Sequence, residues 1–194
     1  MSTTTPFFFP REYSFPPFFT RQTNLTTHHA QLIKWAALVL AYCRHHRLFK
    51  LSLSSAISDP LSSTAEPTSD TTASDLFHNR QLNRRLSLAD AREVLDFLRR
   101  DGRVEPVDGT TGDVVWVYWR TPEEWAGLVE AWVDETAQRG GVLTLYELRE
   151  GDATRGAEFH GMDADLLQKA LGVLVKRGKA QIFGQEDSLG VKFF

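Results

Sequence analysis

The sequence of this chain repeats itself. Shifted by 76 residues, Leu95 falls on Leu171, Leu98 on Leu174, Gly102 on Gly178 and Arg103 on Lys179. In each copy an amphipathic helical pattern stops at a glycine, which closes a helix in the left-handed conformation without steric cost, and two short β-rich runs follow. Both halves read helix, short extended piece, helix, helix, strand, turn, strand. That order predicts an α+β fold of two tandem winged helices, each a three-helix module finished by a β-hairpin wing. Modules of roughly 70–75 ordered residues bury only a modest core.

In the first copy, Leu32, Trp35, Val39 and Tyr42 at spacings of 3, 4 and 3 predict a helix from Thr26 or Thr27 to about Arg47. From Ser52 to Asp75, 12 of 24 residues are Ser or Thr, and the stretch is expected to be a mobile loop insertion. A short helix is expected from Leu76 through Leu82 to Arg85. Ser87, with Asp90 at the capping-box position, starts a helix whose apolar face is Leu88, Ala91, Val94, Leu95 and Leu98. Strands over 103–107 and 114–119 join at a turn around Asp108-Gly109. In the second copy, Thr121-Pro122-Glu123-Glu124 carries a cap, a proline suited to the first helical position and the closing Glu of a capping box. The helix it starts is expected to reach Gly140-Gly141. An extended piece at 142–144, a short helix or turn at 145–149, a helix over 163–177 and strands over 179–183 and 191–194 complete the repeat. The expected domains are an arm at 1–25, a first winged helix at 26–120 with the insertion at 52–75, and a second at 121–194.

Charge and motif content narrow the function classes. No apolar run approaches the roughly 20 residues a spanning helix needs. Four prolines and the lack of a basic n-region argue against a secretory signal in the Phe-rich start. Cys43 is the one cysteine and suits a reducing compartment, so a soluble intracellular protein is expected. The net charge is -3, and residues 122–194 carry 8 Lys+Arg against 13 Asp+Glu, a net of -5. In the first half Arg84, Arg85, Arg92, Arg99 and Arg100 alternate with Asp90, Glu93, Asp96 and Asp101, a mixed surface rather than a phosphate-binding one. Nucleic acid is therefore not the expected partner, although a winged-helix DNA-binding transcription regulator stands as the alternative. His28-His29 and His45-His46 diverge on a helix, and Cys43 with His46 lacks two further ligands, so no metal site is expected. No nucleophile elbow, phosphate loop or His-Glu-x-x-His is present; no catalytic residue, enzyme activity or cofactor is expected.

The arm is the richest segment, with six Phe and four Pro in 20 residues. Pro16 and Pro17 are expected to hold it extended, so that Phe15, Phe18 and Phe19 act as rigid anchors for apolar pockets. It either packs on its own first domain or docks on another subunit; the number of aromatics favours docking.

The runs Tyr13-Ser-Phe-Pro-Pro-Phe-Phe-Thr-Arg-Gln, Arg120-Thr-Pro-Glu-Glu-Trp125, Leu143-Thr-Leu-Tyr-Glu-Leu148, Glu158-Phe-His-Gly-Met-Asp163 and Gly190-Val-Lys-Phe-Phe194 resemble the vacuolar protein sorting-associated protein 25 family, the small tandem winged-helix subunits of ESCRT-II. The resemblance spans the chain except 1–8 and 52–75. It implies a non-catalytic adaptor in endosomal multivesicular-body sorting, cytoplasmic and recruited peripherally to the endosomal membrane, with indirect membrane contact. Two copies would sit in one complex, bound to the two larger ESCRT-II subunits through the Pro-Pro-aromatic arm. Pro16, Pro17, Phe18 and Phe19 match the arm motif, and Pro10-Arg11-Glu12-Tyr13 stands where a first motif occurs. The second winged helix would recruit the myristoylated initiating subunit of ESCRT-III. For that contact Glu147, Glu150, Asp152, Glu158, Asp163 and Asp165 are the candidates, chosen by charge and expected exposure.

Overall fold

A computed structural model describes residues 5–57, 69–109, 112–184 and 189–194. The chain divides into two compact units, one ending at Trp119 and the other beginning at Arg120.

In the first unit, α1 (Leu25–His45) starts at Asn24, whose side chain accepts from the Thr27 N–H. β1 (Lys50–Ser52) runs directly into α2 (Leu53–Ile57), and α3 (Ser69–Phe77) follows. A small hairpin, β2 (His78–Asn79) and β3 (Arg84–Arg85), leads to α4 (Leu88–Arg100), capped by Ser87. The wing strands β4 (Val104–Pro106) and β5 (Val114–Val117) close the unit. β1 pairs with β5, Leu51 opposite Val115, so the sheet runs β1-β5-β4. The core lies between this sheet, the inner faces of α1 and α4, and the end of α3; Trp35, Val39, Leu76, Phe77 and Ala91 are at most 1% exposed.

The second unit repeats that topology. α5 (Pro122–Glu135) begins at a complete capping box between Thr121 and Glu124. β6 (Val142–Thr144) leads into α6 (Leu145–Glu150), a 3-10 turn at Asp152–Thr154, α7 (Ala164–Lys176), β7 (Ala180–Phe183) and β8 (Gly190–Phe193). The sheet runs β6-β8-β7, and α5 packs on α7. Trp125, Met162, Leu167 and Leu171 are wholly buried between them.

Three sequence expectations are corrected. The Ser/Thr-rich stretch holds β1's end, α2 and α3, because Ala73, Leu76 and Phe77 give α3 a buried end that composition hides. The Asp113 carboxylate also ties down the start of α2, accepting from the Ser54 N–H at 2.9 Å and the Ser52 hydroxyl at 2.6 Å. The middle of the insertion, 58–68, lies outside the described residues. Second, the helix expected to reach Arg85 is a hairpin. Asn79 accepts from the Leu82 N–H and donates to the Tyr13 carbonyl, and Asn83 takes a positive φ of 48°. Local side-chain bonding of this kind competes with helix. Third, α5 ends at Glu135 rather than at Gly140-Gly141, because Ala137 adopts φ 55° and the Gln138 N–H turns back to the Val133 carbonyl.

Candidate docking sites

The arm is folded, not extended. It makes two 3-10 turns, Arg11–Ser14 and Pro16–Phe19, with Phe15 between them. Proline's fixed φ suits the first positions of such a turn. The turn pays out its sequence to two sides. Phe18 stacks on Trp35 with ring centroids 4.4 Å apart and planes at 3°, and Phe19 meets the same indole edge-on at 5.4 Å. Tyr13 stacks under Phe9 at 4.0 Å and donates its hydroxyl to the Asp75 carbonyl at 2.6 Å. Burial raises the Tyr13 phenol well above its ordinary value. Tyr13, Phe18 and Phe19 are therefore core residues of their own unit, and the extended anchor-bearing tail expected from the prolines is corrected to a folded one. Facing outward are Pro10, Phe15, Pro16 and Pro17, with Phe15 60% exposed.

Beside these lies a groove of about 360 Å³ between the start of the arm and the outer face of α1, lined by Phe7, Phe8, Pro10, Lys34, Ala37 and Ala41 among others. Phe8 is 81% exposed, more than any other aromatic residue described. Of these residues only Pro10 is among the sequence candidates. The signal was available in Ala37 and Ala41, a small i, i+4 pair opposite the buried stripe of α1.

In the second unit the outer sheet face presents two rows, Val142–Lys192–Gln181 and Thr144–Gly190–Phe183. The Phe183 ring covers Gly190 so closely that a Cβ there would meet it at 2.7 Å. Val142, Phe183, Phe194 and the α6 residue Tyr146 are all exposed apolar side chains.

The six carboxylate candidates are distributed around this unit with different tasks. Glu147 closes the α6 capping box, accepting from the Thr144 N–H at 2.7 Å, and that backbone bond holds its carboxyl below the usual range. Asp163 caps α7. Glu158 was expected to be exposed but is half-buried, gripped bidentately by Arg120 at 2.9 and 2.7 Å. Its hydrogen bonds raise the Arg120 guanidinium above its ordinary value. Glu150 pairs with Arg149 and Asp152 with Arg155, both on the surface. Asp165 is exposed on the first turn of α7. The loop carrying Glu158 folds back on α6, since the Gly161 N–H donates to the Arg149 carbonyl at 2.7 Å.

The surface that would read DNA is different in kind. The cleft between α4 and the wing, about 530 Å³, is lined by Arg92 and Arg99 but also by Asp96 and Asp113. Two cations alternating with two carboxylates do not make a phosphate track. Among the described residues no group of three or more His, Cys, Asp or Glu could hold a metal ion, and no helix is long and apolar enough to cross a membrane.

A family profile described as ESCRT-II complex subunit matches residues 12–163. The chain is 38% identical over 188 residues to vacuolar protein-sorting-associated protein 25 of Xenopus laevis, covering 97% of this chain and 99% of that protein. The human protein of the same name matches at 38% over 97% of this chain and 98% of its own length, and that of Dictyostelium discoideum at 34% over 97% and 96%. The crystal structure of subunit VPS25 of the endosomal trafficking complex ESCRT-II superposes with a TM-score of 0.78 at 26% identity, covering 95% of this chain and 98% of that one. A chain in the crystal structure of the VPS22/VPS25/VPS36 complex superposes with a TM-score of 0.75 at 28% identity, over 95% and 98%.

Proposed function

Because this chain belongs to the ESCRT-II complex subunit family, we propose that it is the tandem winged-helix subunit of an ESCRT-II complex in endosomal trafficking, an adaptor without catalytic activity. It docks on the two larger subunits, counterparts of VPS22 and VPS36, through the outward face of the arm. Pro10, Phe15, Pro16 and Pro17 make that contact, while Tyr13, Phe18 and Phe19 hold the arm on its own unit from behind. The observation that carries this reading is the two-sidedness of the Pro16–Phe19 turn, which buries two aromatics and leaves an aromatic-proline-proline edge in water. A folded edge of this kind loses little conformational entropy when it docks.

The second unit recruits the myristoylated initiating subunit of ESCRT-III. Its exposed Val142, Tyr146, Phe183 and Phe194 supply apolar contact, and the -5 net charge of residues 122–194 favours a basic amphipathic helix. Of the six carboxylates, Glu150, Asp152 and Asp165 are the most available for it; Glu147, Glu158 and Asp163 shape the surface. Two copies serve one complex, which is cytoplasmic and reaches the endosomal membrane through its partners.

The test is a pull-down of the tagged full chain from its own cells, wild type beside Phe15→Ala/Pro16→Ala/Pro17→Ala. Two larger ESCRT-II subunits should co-purify with wild type and be lost with the variant, and the wild-type association should change little with salt. Recovery of chromatin in their place, with steep salt sensitivity, would instead support a DNA-binding regulator.

A further inference from the structure

The arm turn has only a few local bonds, among them those of the exposed Gln22 amide, which donates to the Pro17 and Thr20 carbonyls at 3.0 and 2.8 Å. Its backbone is closed by the Phe18 N–H on the Phe15 carbonyl at 2.9 Å and the Thr20 N–H on the Pro17 carbonyl at 3.1 Å. A 3-10 turn this short does not persist unaided. What meets it from α1 is Gln31, a polar side chain only 9% exposed. The Gln31 amide nitrogen donates to the Phe18 carbonyl at 2.8 Å and the Thr20 carbonyl at 2.9 Å. Trp35 adds its indole N–H to the same Phe18 carbonyl at 2.9 Å.

Those carbonyls fix which way round the amide sits, because only its NH2 end can meet acceptors. The amide oxygen is thereby turned to His28, whose Nδ1 lies 3.3 Å away. On the other side of the ring, His28 Nε2 lies 3.0 Å from Glu93 Oε1 on α4. The second Glu93 oxygen accepts from Arg21, at the end of the arm, at 2.5 Å. Both ring nitrogens thus face oxygen atoms, one of Gln31 and one of Glu93. The chain of bonds runs from α4 through His28 and Gln31 to two carbonyls of the arm, and back through Arg21.

We propose that this Glu93–His28–Gln31 relay sets the docking conformation of the arm, making Gln31 and Glu93 positioning residues for the association with the larger subunits without touching them. The inference rests on the arm-docking reading above. Its physical content is preorganisation: with the relay intact the turn is ordered before the encounter, and without it the ordering cost falls on binding. Sequence alone hides it, since Gln31 and Glu93 are 62 residues apart and neither belongs to a motif.

The experiment measures affinity of the full chain for the reconstituted pair of larger ESCRT-II subunits by calorimetry. Gln31→Met, which keeps the shape and removes the donors, should weaken binding roughly tenfold, the consequence of returning about one residue's ordering cost to the binding step. Amide exchange at Phe18 and Thr20 should quicken in the free variant while Val115 and Val117 in β5 stay protected. Glu93→Ala should weaken binding in the same direction, and Glu93→Gln, which keeps an acceptor oxygen for His28, should restore most of it. If Gln31→Met unfolds the whole unit, the Glu93 pair decides. Unchanged affinity for Gln31→Met and Glu93→Ala, with the proline-edge variant unable to bind, overturns the relay and leaves the docking reading intact. Wild-type affinity in the proline-edge variant overturns both.

Discussion

His46 shows how a single side chain can make part of the arm sensitive to pH. It packs against Tyr42 with centroids 4.3 Å apart and beneath Phe7 at 6.2 Å. Burial lowers its pKa below the ordinary 6.5, neighbouring His45 lowers it further, and Asp75 opposes them. A histidine lowered in the packed state takes up a proton more readily when the packing opens. The Phe7 contact is therefore fully favourable above the ordinary value and is lost as the pH falls through the lowered one. Ring signals of Phe7 and Phe9 followed from about pH 7.5 to about pH 5 should move toward solvent-exposed positions, and His46→Gln should abolish the change. A flat wild-type response would show that the ring and the histidine are uncoupled. The same local logic explains which residue readings were available from sequence. The caps at Ser87 and Thr121 were legible because a cap needs only residues within three positions of it. That Phe18 turns inward and Phe15 outward was not, because the pocket that decides it is made by Trp35.

At the scale of elements, the second unit depends on helices that start sharply. Thr121 and Glu124 satisfy each other's backbone N–H groups at 3.2 and 2.7 Å, so α5 begins where the chain leaves the first unit. Thr121→Ala removes one acceptor from the first turn and should cost about 1 kcal/mol of stability. The check is the urea midpoint with its slope unchanged; a shift below a few tenths of a kcal/mol would mean that Pro122 and the packed Trp125 start the helix without the cap. Strong periodicity made α4, α5 and α7 readable, each within a few residues of its sequence limits apart from the C-terminal end of α5. α3 was not readable, since its Ser/Thr composition resembles a linker and only burial of Leu76 and Phe77 reveals its function in the core.

Across the whole molecule the repeat of sequence is a repeat of topology: β1-β5-β4 in one unit and β6-β8-β7 in the other, a short strand before the second helix closing on the last strand of the wing. Each unit has its own buried core, so a fragment from Arg120 to Phe194 should fold cooperatively with the Val142–Lys192 and Leu143–Val191 pairings intact, observable as cross-strand NMR contacts. A fragment without dispersed signals would show that its fold needs the preceding unit. Sequence by itself determined the paired winged-helix plan, the starts of α4, α5 and α7, the glycine stops at Gly102 and Gly178 and the acidity of the second half, since these arise from neighbours along the chain and from composition. Tertiary structure alone decided that the proline-rich arm folds into turns, which of its aromatics become core, that Glu158 belongs to Arg120, and that Glu93 reaches the arm through His28 and Gln31. Each of those depends on groups brought together from distant positions, and the burial that selects among them exists only once the chain has packed.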